Sequence, residues 1–159
     1  MRLTERITLD MTESLKQKDS FRVGVLRMAI AALQNAQIEK DTKAAKTGAA
    51  KDPLTDDEAL AILSRECKKR LESAAELEKG NRTDLAKSER EEAQVIQAYL
   101  PAQMDARELR TAVEKIVAGL SPDEKTQWGK VMQALAKELK GKADMQQAGA
   151  IAREMLGSS

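Results

Sequence analysis

The sequence has no histidine and only one cysteine, Cys67. Without histidine the chain cannot form a Ser-His or Cys-His nucleophile pair, a His-ligated metal site or the commonest general base. A lone thiol forms no disulfide within the chain and fits a reducing compartment. Because Cys67 falls on the apolar stripe of a predicted helix, we expect a buried structural residue. The common self-contained active sites are thereby excluded, and we expect no metal, no cofactor and no catalytic activity from the chain alone.

Aromatic residues are also scarce, with one Trp, one Tyr and one Phe. The core must therefore consist of Leu, Ile, Val, Ala and Met, a composition that favours packed helices over sheets. No apolar run approaches the roughly 20 residues that a membrane span requires, and the first residues lack the apolar stretch of a signal peptide. We expect an all-α cytoplasmic protein with no membrane partner.

Charge of one sign does not dominate, because 27 Lys and Arg residues face 26 Asp and Glu residues. A nearly neutral chain exerts no general attraction on polyanions. Any nucleic-acid site must therefore arise from a local arrangement of charges.

Residues 1–100 contain four segments with helical apolar spacing, which predict a four-helix, bundle-like N-terminal domain. The second segment is apolar on most sides and should be the most buried helix. The last two segments predict a long helical hairpin, and the Ala- and Lys-rich residues 41–53 predict a mobile linker. The four predicted helices run from Leu3 to about Gln17, from Phe21 to about Glu39, from the capping box Thr55–Glu58 to near Gly80, and from the residue after Asn81 to Leu100.

Residues 101–159 predict a small C-terminal domain of three short helices, because Pro101 cannot continue the preceding helix. The first helix follows the cap pair Asp105–Glu108 and ends before a turn at Ser121–Pro122. The second covers about residues 128–140, and Asp144 caps the third.

The predicted helix over residues 128–140 carries lysines on one side. Lys130, Lys137 and Lys140 share a face opposite the apolar residues, and Lys142 follows in the turn before the last helix. The free N–H groups of that helix N-terminus attract anions, which favours a phosphate site. Alternatively, the lysines only keep the surface soluble, and Asp144 already satisfies those N–H groups.

Three further features each allow two interpretations. The cluster Arg65, Lys68, Lys69 and Arg70 is interspersed with glutamates and fits either a solvated face or a secondary phosphate contact. Arg27, within the most apolar helix, fits either a phosphate contact or an internal ion pair. Trp128 fits either a base-stacking residue or a packing residue at the edge of the core.

Several motifs together resemble those of the YqeY-like proteins, a family related to the C-terminal tail domain of the B subunit of tRNA-dependent amidotransferases. The resemblance covers nearly the whole chain, and the order and spacing of the motifs make it specific. The motifs are Arg27-Met28 with the Ala- and Leu-rich stretch to Asn35 and Ile38, Leu54 to Glu58, Glu78 to Leu85, Tyr99-Leu100-Pro101, Gly129 to Met132, and Lys140 to Asp144.

This resemblance implies an N-terminal helical bundle followed by a small three-helix unit. It also implies tRNA as a partner, because the related tail of the amidotransferases looks like a tRNA-contacting module. The positions of this sequence that match the tail are Gly129, Lys130, Lys140, Gly141 and Lys142. Carbon-nitrogen ligase activity with glutamine as amido-N donor belongs to other domains of those enzymes, which this chain lacks.

Three functional hypotheses follow from the residues and the resemblance. The first is a non-catalytic module that binds tRNA or another folded RNA through Lys130, Lys137, Lys140 and Lys142, with Arg65, Lys68, Lys69 and Arg27 as secondary contacts. The second is a protein adaptor for a translation-related enzyme. The third is an accessory subunit of a carbon-nitrogen ligase.

Overall fold

The computed structural model describes residues 1–157; Ser158 and Ser159, the end of the predicted C-terminal domain, lie outside this range. The described chain is all-helical and contains no strand, so the predicted all-α class is confirmed. No helix within residues 1–157 is long and apolar enough to cross a membrane. The eight helices are α1 (Leu3–Lys16), α2 (Ser20–Thr47), α3 (Asp56–Lys79), α4 (Thr83–Gln97), α5 (Ala106–Ala118), α6 (Pro122–Lys125), α7 (Trp128–Leu139) and α8 (Met145–Gly157).

The chain divides between Leu100 and Pro101 into two compact units. The first unit packs α1 to α4 around a core in which Ile7, Leu26 and Leu63 are completely buried. Helices α3 and α4 pack along each other as a hairpin, and the capping box Thr55–Glu58 begins α3 as predicted. Cys67 is 3% exposed, so the prediction of a buried cysteine is confirmed.

Helix α2 continues to Thr47, so the prediction of a linker over residues 41–53 is wrong for residues 41–47. Ala and Lys are strong helix formers, and Gly48 ends the helix in the left-handed conformation, with a φ of 70°. The following loop is held by hydrogen bonds from the Gln37 side chain to the Asp52 carbonyl oxygen, 3.0 Å, and from Lys40 to the Pro53 carbonyl oxygen, 3.1 Å.

Only one side of α2 is buried, although its composition predicted the most buried helix. Leu26, Ala29 and Leu33 face the core of the first unit. Met28 and Ile38 are 58% and 62% exposed, because α1, α3 and α4 pack against the other side of the helix.

The second unit packs α5, α7 and α8 around the buried residues Val113, Val131 and Leu135. The capping box Asp105–Glu108 begins α5 as predicted. Where the sequence indicated only a turn, Ser121 and Glu124 form a further capping box around Pro122 and start the single-turn helix α6. This part of the chain therefore contains one short helix more than the three predicted.

Candidate nucleic-acid interface

Helix α7 has one buried side and one lysine-bearing side. Val131, Leu135 and Leu139 are at most 1% exposed because they enter the core of the second unit. The opposite side carries Lys130 and Lys137, with Lys140 at the C-cap, and all three are exposed, as the helical spacing predicted. We call these three residues the lysine face.

The pKa of the Glu124 carboxyl group is lowered by hydrogen bonds from Ser121 and, less strongly, by the charge of Lys130, so the lysine face has one acidic neighbour. No ion pair in the described part of the chain involves Lys130, Lys137, Lys140 or Lys142. Four ammonium groups are therefore available to an external anion.

Hydrogen bonds fix the turn that carries Lys140, Gly141 and Lys142. The Gly141 carbonyl oxygen accepts from Gln103 Nε2 at 2.9 Å, and the Lys142 carbonyl oxygen accepts from the Met104 N–H at 2.9 Å. Gly141 has a φ of 81°, a conformation that favours glycine because it lacks a Cβ. The turn thus holds the two flanking lysines on a defined backbone.

The N-terminus of α8 is capped by the protein itself. Asp144 Oδ1 accepts a hydrogen bond from the Gln146 N–H at 2.8 Å. A carboxylate at this position satisfies a free N–H group and repels a second anion. The structure therefore shows the predicted Asp144 cap, and a phosphate site at this helix N-terminus would depend on the lysine side chains alone.

Gly129 lies exposed beside Lys130 in the first turn of α7. No atom lies within 4 Å of the position that a Cβ would occupy there. Packing therefore does not require a glycine at this position.

Two further cations of the second unit were not predicted from the sequence. A groove of about 430 Å³ between α5 and α7 is lined by Arg107, Glu108 and Lys115, among other residues of α5, and by Glu138 of α7. Arg107 and Lys115 are exposed and belong to none of the ion pairs of residues 1–157. The sequence shows that Arg107 and Lys115 lie along one predicted helix. Only the tertiary packing places that helix beside α7.

Trp128 is a packing residue. The Arg153 guanidinium lies 4.7 Å from the centre of its ring, and the ring is partly buried against the core of the second unit. A Cβ added to Gly149 would stand 3.7 Å from the same ring. Arg153 therefore occupies a ring face that a base would need for stacking.

The secondary cluster of α3 lies in the first unit and is only partly exposed. Arg65, Lys68 and Lys69 are exposed, and Lys69 Nζ lies 3.1 Å from Glu66 Oε1. Arg70 is 6% exposed and pairs with Glu92 Oε2 at 3.1 Å. For Arg70 both predicted interpretations, a solvated face and a secondary phosphate contact, are wrong, because α4 packs over it and brings Glu92 to its guanidinium.

Arg27 is exposed on α2 in the first unit. No ion pair of the described residues includes it, so the predicted alternative of an internal partner is not found. Its guanidinium is available to an external group.

Three kinds of group can be compared with what catalysis requires: metal ligands, the cysteine thiol and the carboxyl groups. Within residues 1–157 no three Cys, Asp or Glu side chains are grouped to hold a metal ion. Burial raises the pKa of the Cys67 thiol, which disfavours the reactive thiolate. Each described carboxyl group with a shifted pKa has it lowered, as for Glu58 beside Lys40 and Glu124 at the Ser121 N–H, whereas a general acid needs a raised pKa.

Fold and site together define an all-helical protein of two compact units, and the second unit presents a lysine face that forms no ion pair among residues 1–157. A sequence model of the Yqey-like protein family matches residues 4–156. The chain therefore belongs to the YqeY-like family, and the resemblance noted in its motifs is confirmed. A search of curated proteins finds no match.

Proposed function

We propose that this YqeY-like protein is a non-catalytic module that binds the phosphate backbone of a folded RNA, with tRNA as the first candidate. The lysine face of α7 and Lys142 make the contact. The observation that carries the proposal is the exposure of four lysines without internal ion pairs on one side of the second unit. The family relation to a tRNA-contacting tail supports tRNA as the RNA and a link to the amidotransferase pathway.

The length of the lysine face matches a short stretch of the phosphate backbone of an RNA. Lys130 and Lys140 stand ten residues apart, which corresponds to about 15 Å along a helix. Four lysines can neutralise about four phosphates, so the logarithm of the association constant should fall by about 3 per tenfold increase in salt. With a net charge of +1 the remaining surface adds little attraction.

The first experiment is a titration of bulk tRNA with the purified protein at about 50 mM and about 200 mM salt. The test variant is Lys130→Glu with Lys142→Glu. The matched control is Lys43→Glu with Lys51→Glu, which changes the net charge equally at exposed lysines of the first unit.

We expect the test variant to bind tRNA at least about tenfold more weakly than the wild type, and the control variant to bind within about twofold of it. If the two variants bind equally, the lysine face only keeps the surface soluble. If the wild type does not bind tRNA even at low salt, the proposal fails.

The near-neutral net charge favours the protein adaptor as a second candidate, because a neutral surface does not repel an acidic or a basic protein partner. Its test is capture of the tagged protein from lysate before and after ribonuclease digestion. A translation enzyme that remains bound after digestion supports the adaptor, and loss of every partner rejects it. No observation favours an accessory ligase subunit, since the shifted carboxyl groups all have lowered pKa values.

A further inference from the structure

Helix α2 carries an exposed, uncharged stripe along nearly its whole length. In a chain with 33% charged residues, eight successive positions at alternating spacings of three and four are all exposed and all uncharged. This heptad spacing is typical of a helix that packs against another helix. The α2 stripe consists of Phe21, Gly24, Met28, Ala31, Asn35, Ile38, Thr42 and Ala45.

The protein's own first unit leaves the α2 stripe uncovered. The buried side of α2, with Leu26 and Leu33, faces the opposite direction. Arg70 Nη2 approaches Met28 Sδ at 3.7 Å, yet Met28 remains 58% exposed. Phe21 is 43% and Ile38 is 62% exposed, so three large apolar side chains of the α2 stripe lie open to solvent, as is typical of an interaction site.

We infer that a second copy of this chain covers the α2 stripe, with the two α2 helices antiparallel around a two-fold axis. In this arrangement three of the four pairs join a larger residue with a smaller one, and the fourth pair joins the two apolar residues Met28 and Ile38. The facing pairs are Phe21 with Ala45, Gly24 with Thr42, Met28 with Ile38, and Ala31 with Asn35 of the other copy. A parallel pair would instead place Phe21 on Phe21 and Gly24 on Gly24, which produces alternating crowding and voids.

The charges beside the α2 stripe also fit the antiparallel arrangement. Arg27 and Asp41 lie on the same edge, two heptads apart. Arg27 belongs to no ion pair of the described chain, and Asp41 accepts a hydrogen bond from Gln37 at 2.9 Å. Because like edges meet in an antiparallel helix pair, each Arg27 faces Asp41 of the other copy, and symmetry forms this ion pair twice. In a parallel pair Arg27 would face Ala32.

The size of the α2 stripe indicates a reversible dimer. From Phe21 to Ala45 the helix extends about 36 Å at 1.5 Å per residue. A contact made by one helix from each copy lies near the lower end of specific interfaces. The dimer should therefore dissociate on dilution.

The test is sedimentation equilibrium of the full-length protein over a roughly hundredfold range of concentration. We expect the wild type to change from monomer to dimer within this range. Ile38→Lys should weaken the dimer at least about tenfold, because it places a charge in the central layer. The matched control, Leu85→Lys, alters a residue of α4 that is 50% exposed and should leave association unchanged.

Exchanging the charges of Arg27 and Asp41 tests independently how the two α2 helices are aligned in the dimer. Arg27→Asp and Asp41→Arg should each weaken the dimer, and the double variant should recover most of the wild-type affinity. Circular dichroism checks that all variants remain helical.

Cross-linking in a Cys67→Ala background tests the orientation. Gly24→Cys with Thr42→Cys should form an intermolecular disulfide, whereas Thr42→Cys alone should not. Efficient cross-linking of Thr42→Cys alone would overturn the antiparallel arrangement. The inference would be overturned if the wild type stayed monomeric at every concentration, or if Ile38→Lys left the dimer affinity unchanged. Either result would indicate that a different protein covers the α2 stripe.

Discussion

Tyr99 connects two distant parts of the first unit through its hydroxyl group. The hydroxyl donates to Asp10 Oδ2 at 2.6 Å and accepts from Arg22 Nη2 at 3.4 Å. The Arg6 guanidinium lies 5.3 Å from the centre of the ring. Burial, together with the hydrogen bond to Asp10, raises the pKa of Tyr99 to about 12. The residue therefore keeps its proton well above the pH at which an exposed tyrosine loses it.

This shift predicts a loss of stability at alkaline pH. The unfolded chain loses the tyrosine proton near a pKa of 10, while the folded protein holds it until about 12. The unfolded state thus binds fewer protons between these values, so the free energy of unfolding falls as pH rises, by about 3 kcal/mol in total. The measurement is urea unfolding between pH 9 and about 12.

Tyr99→Phe is the control, because lysines also titrate in this range. The difference between wild type and variant should shrink as pH rises, since only the wild type loses this contribution. As Tyr99 is the only tyrosine, near-ultraviolet absorbance reports its titration directly. A titration midpoint near the ordinary value of 10 would contradict the prediction.

At the scale of elements, the α7–α8 turn depends on a glycine whose role is conformational. Gly141 adopts a φ of 81°, whereas Gly129 lies in the first turn of α7 with open space around its Cβ position. Both match the family motifs, but only one of them requires the absence of a side chain. Alanine substitutions at Gly141 and at Gly129 therefore allow the effect of backbone strain on stability to be compared with the effect of helix propensity.

We predict that Gly141→Ala lowers the free energy of unfolding by about 1–2 kcal/mol, because a Cβ is strained in the left-handed region. Gly129→Ala should leave it unchanged or raise it by up to about 1 kcal/mol, since alanine favours the helix. Urea unfolding followed by Trp128 fluorescence reports on the second unit, because Trp128 is the only tryptophan. Equal stabilities of the two variants would show that the turn tolerates a side chain.

At the scale of the whole molecule, each unit has its own apolar core. Leu26 and Leu63 belong to the core of the first unit, and Val131 and Leu135 belong to that of the second. A unit with a separate core can fold by itself, although a chain of about 60 residues is close to the lower size limit. The division into domains at residues 100 and 101 thus stays a prediction that fragments can test.

We predict that fragments 1–100 and 101–159 each show helical circular dichroism and a cooperative unfolding transition. If the RNA proposal holds, fragment 101–159 should bind tRNA and fragment 1–100 should bind it at least about tenfold more weakly. The full-length protein is the reference for both. An unfolded fragment would show that the division at residue 100 does not separate independent domains.

Local sequence patterns predicted much of this architecture because they act over one or two helical turns. The pairs Thr55–Glu58 and Asp105–Glu108 indicated where α3 and α5 begin, and the structure forms both capping boxes. The 3.6-residue period likewise predicted that Lys130 and Lys137 lie opposite Leu135 and Leu139. The all-α class followed from the same periodicity and from the scarcity of aromatic residues.

Contacts between residues distant in sequence decided which polar side chains are buried and which helix sides stay exposed. Arg70 is buried because α4 brings Glu92 to it, and no local pattern of α3 contains that information. The Trp128 ring is covered because α8 presents Arg153. Which side of α2 stays open was settled by the packing of α1, α3 and α4, since composition describes a helix but not its neighbours. The sequence by itself determined the helices and their amphipathic sides, and the tertiary structure decided which of those sides remain available to a partner.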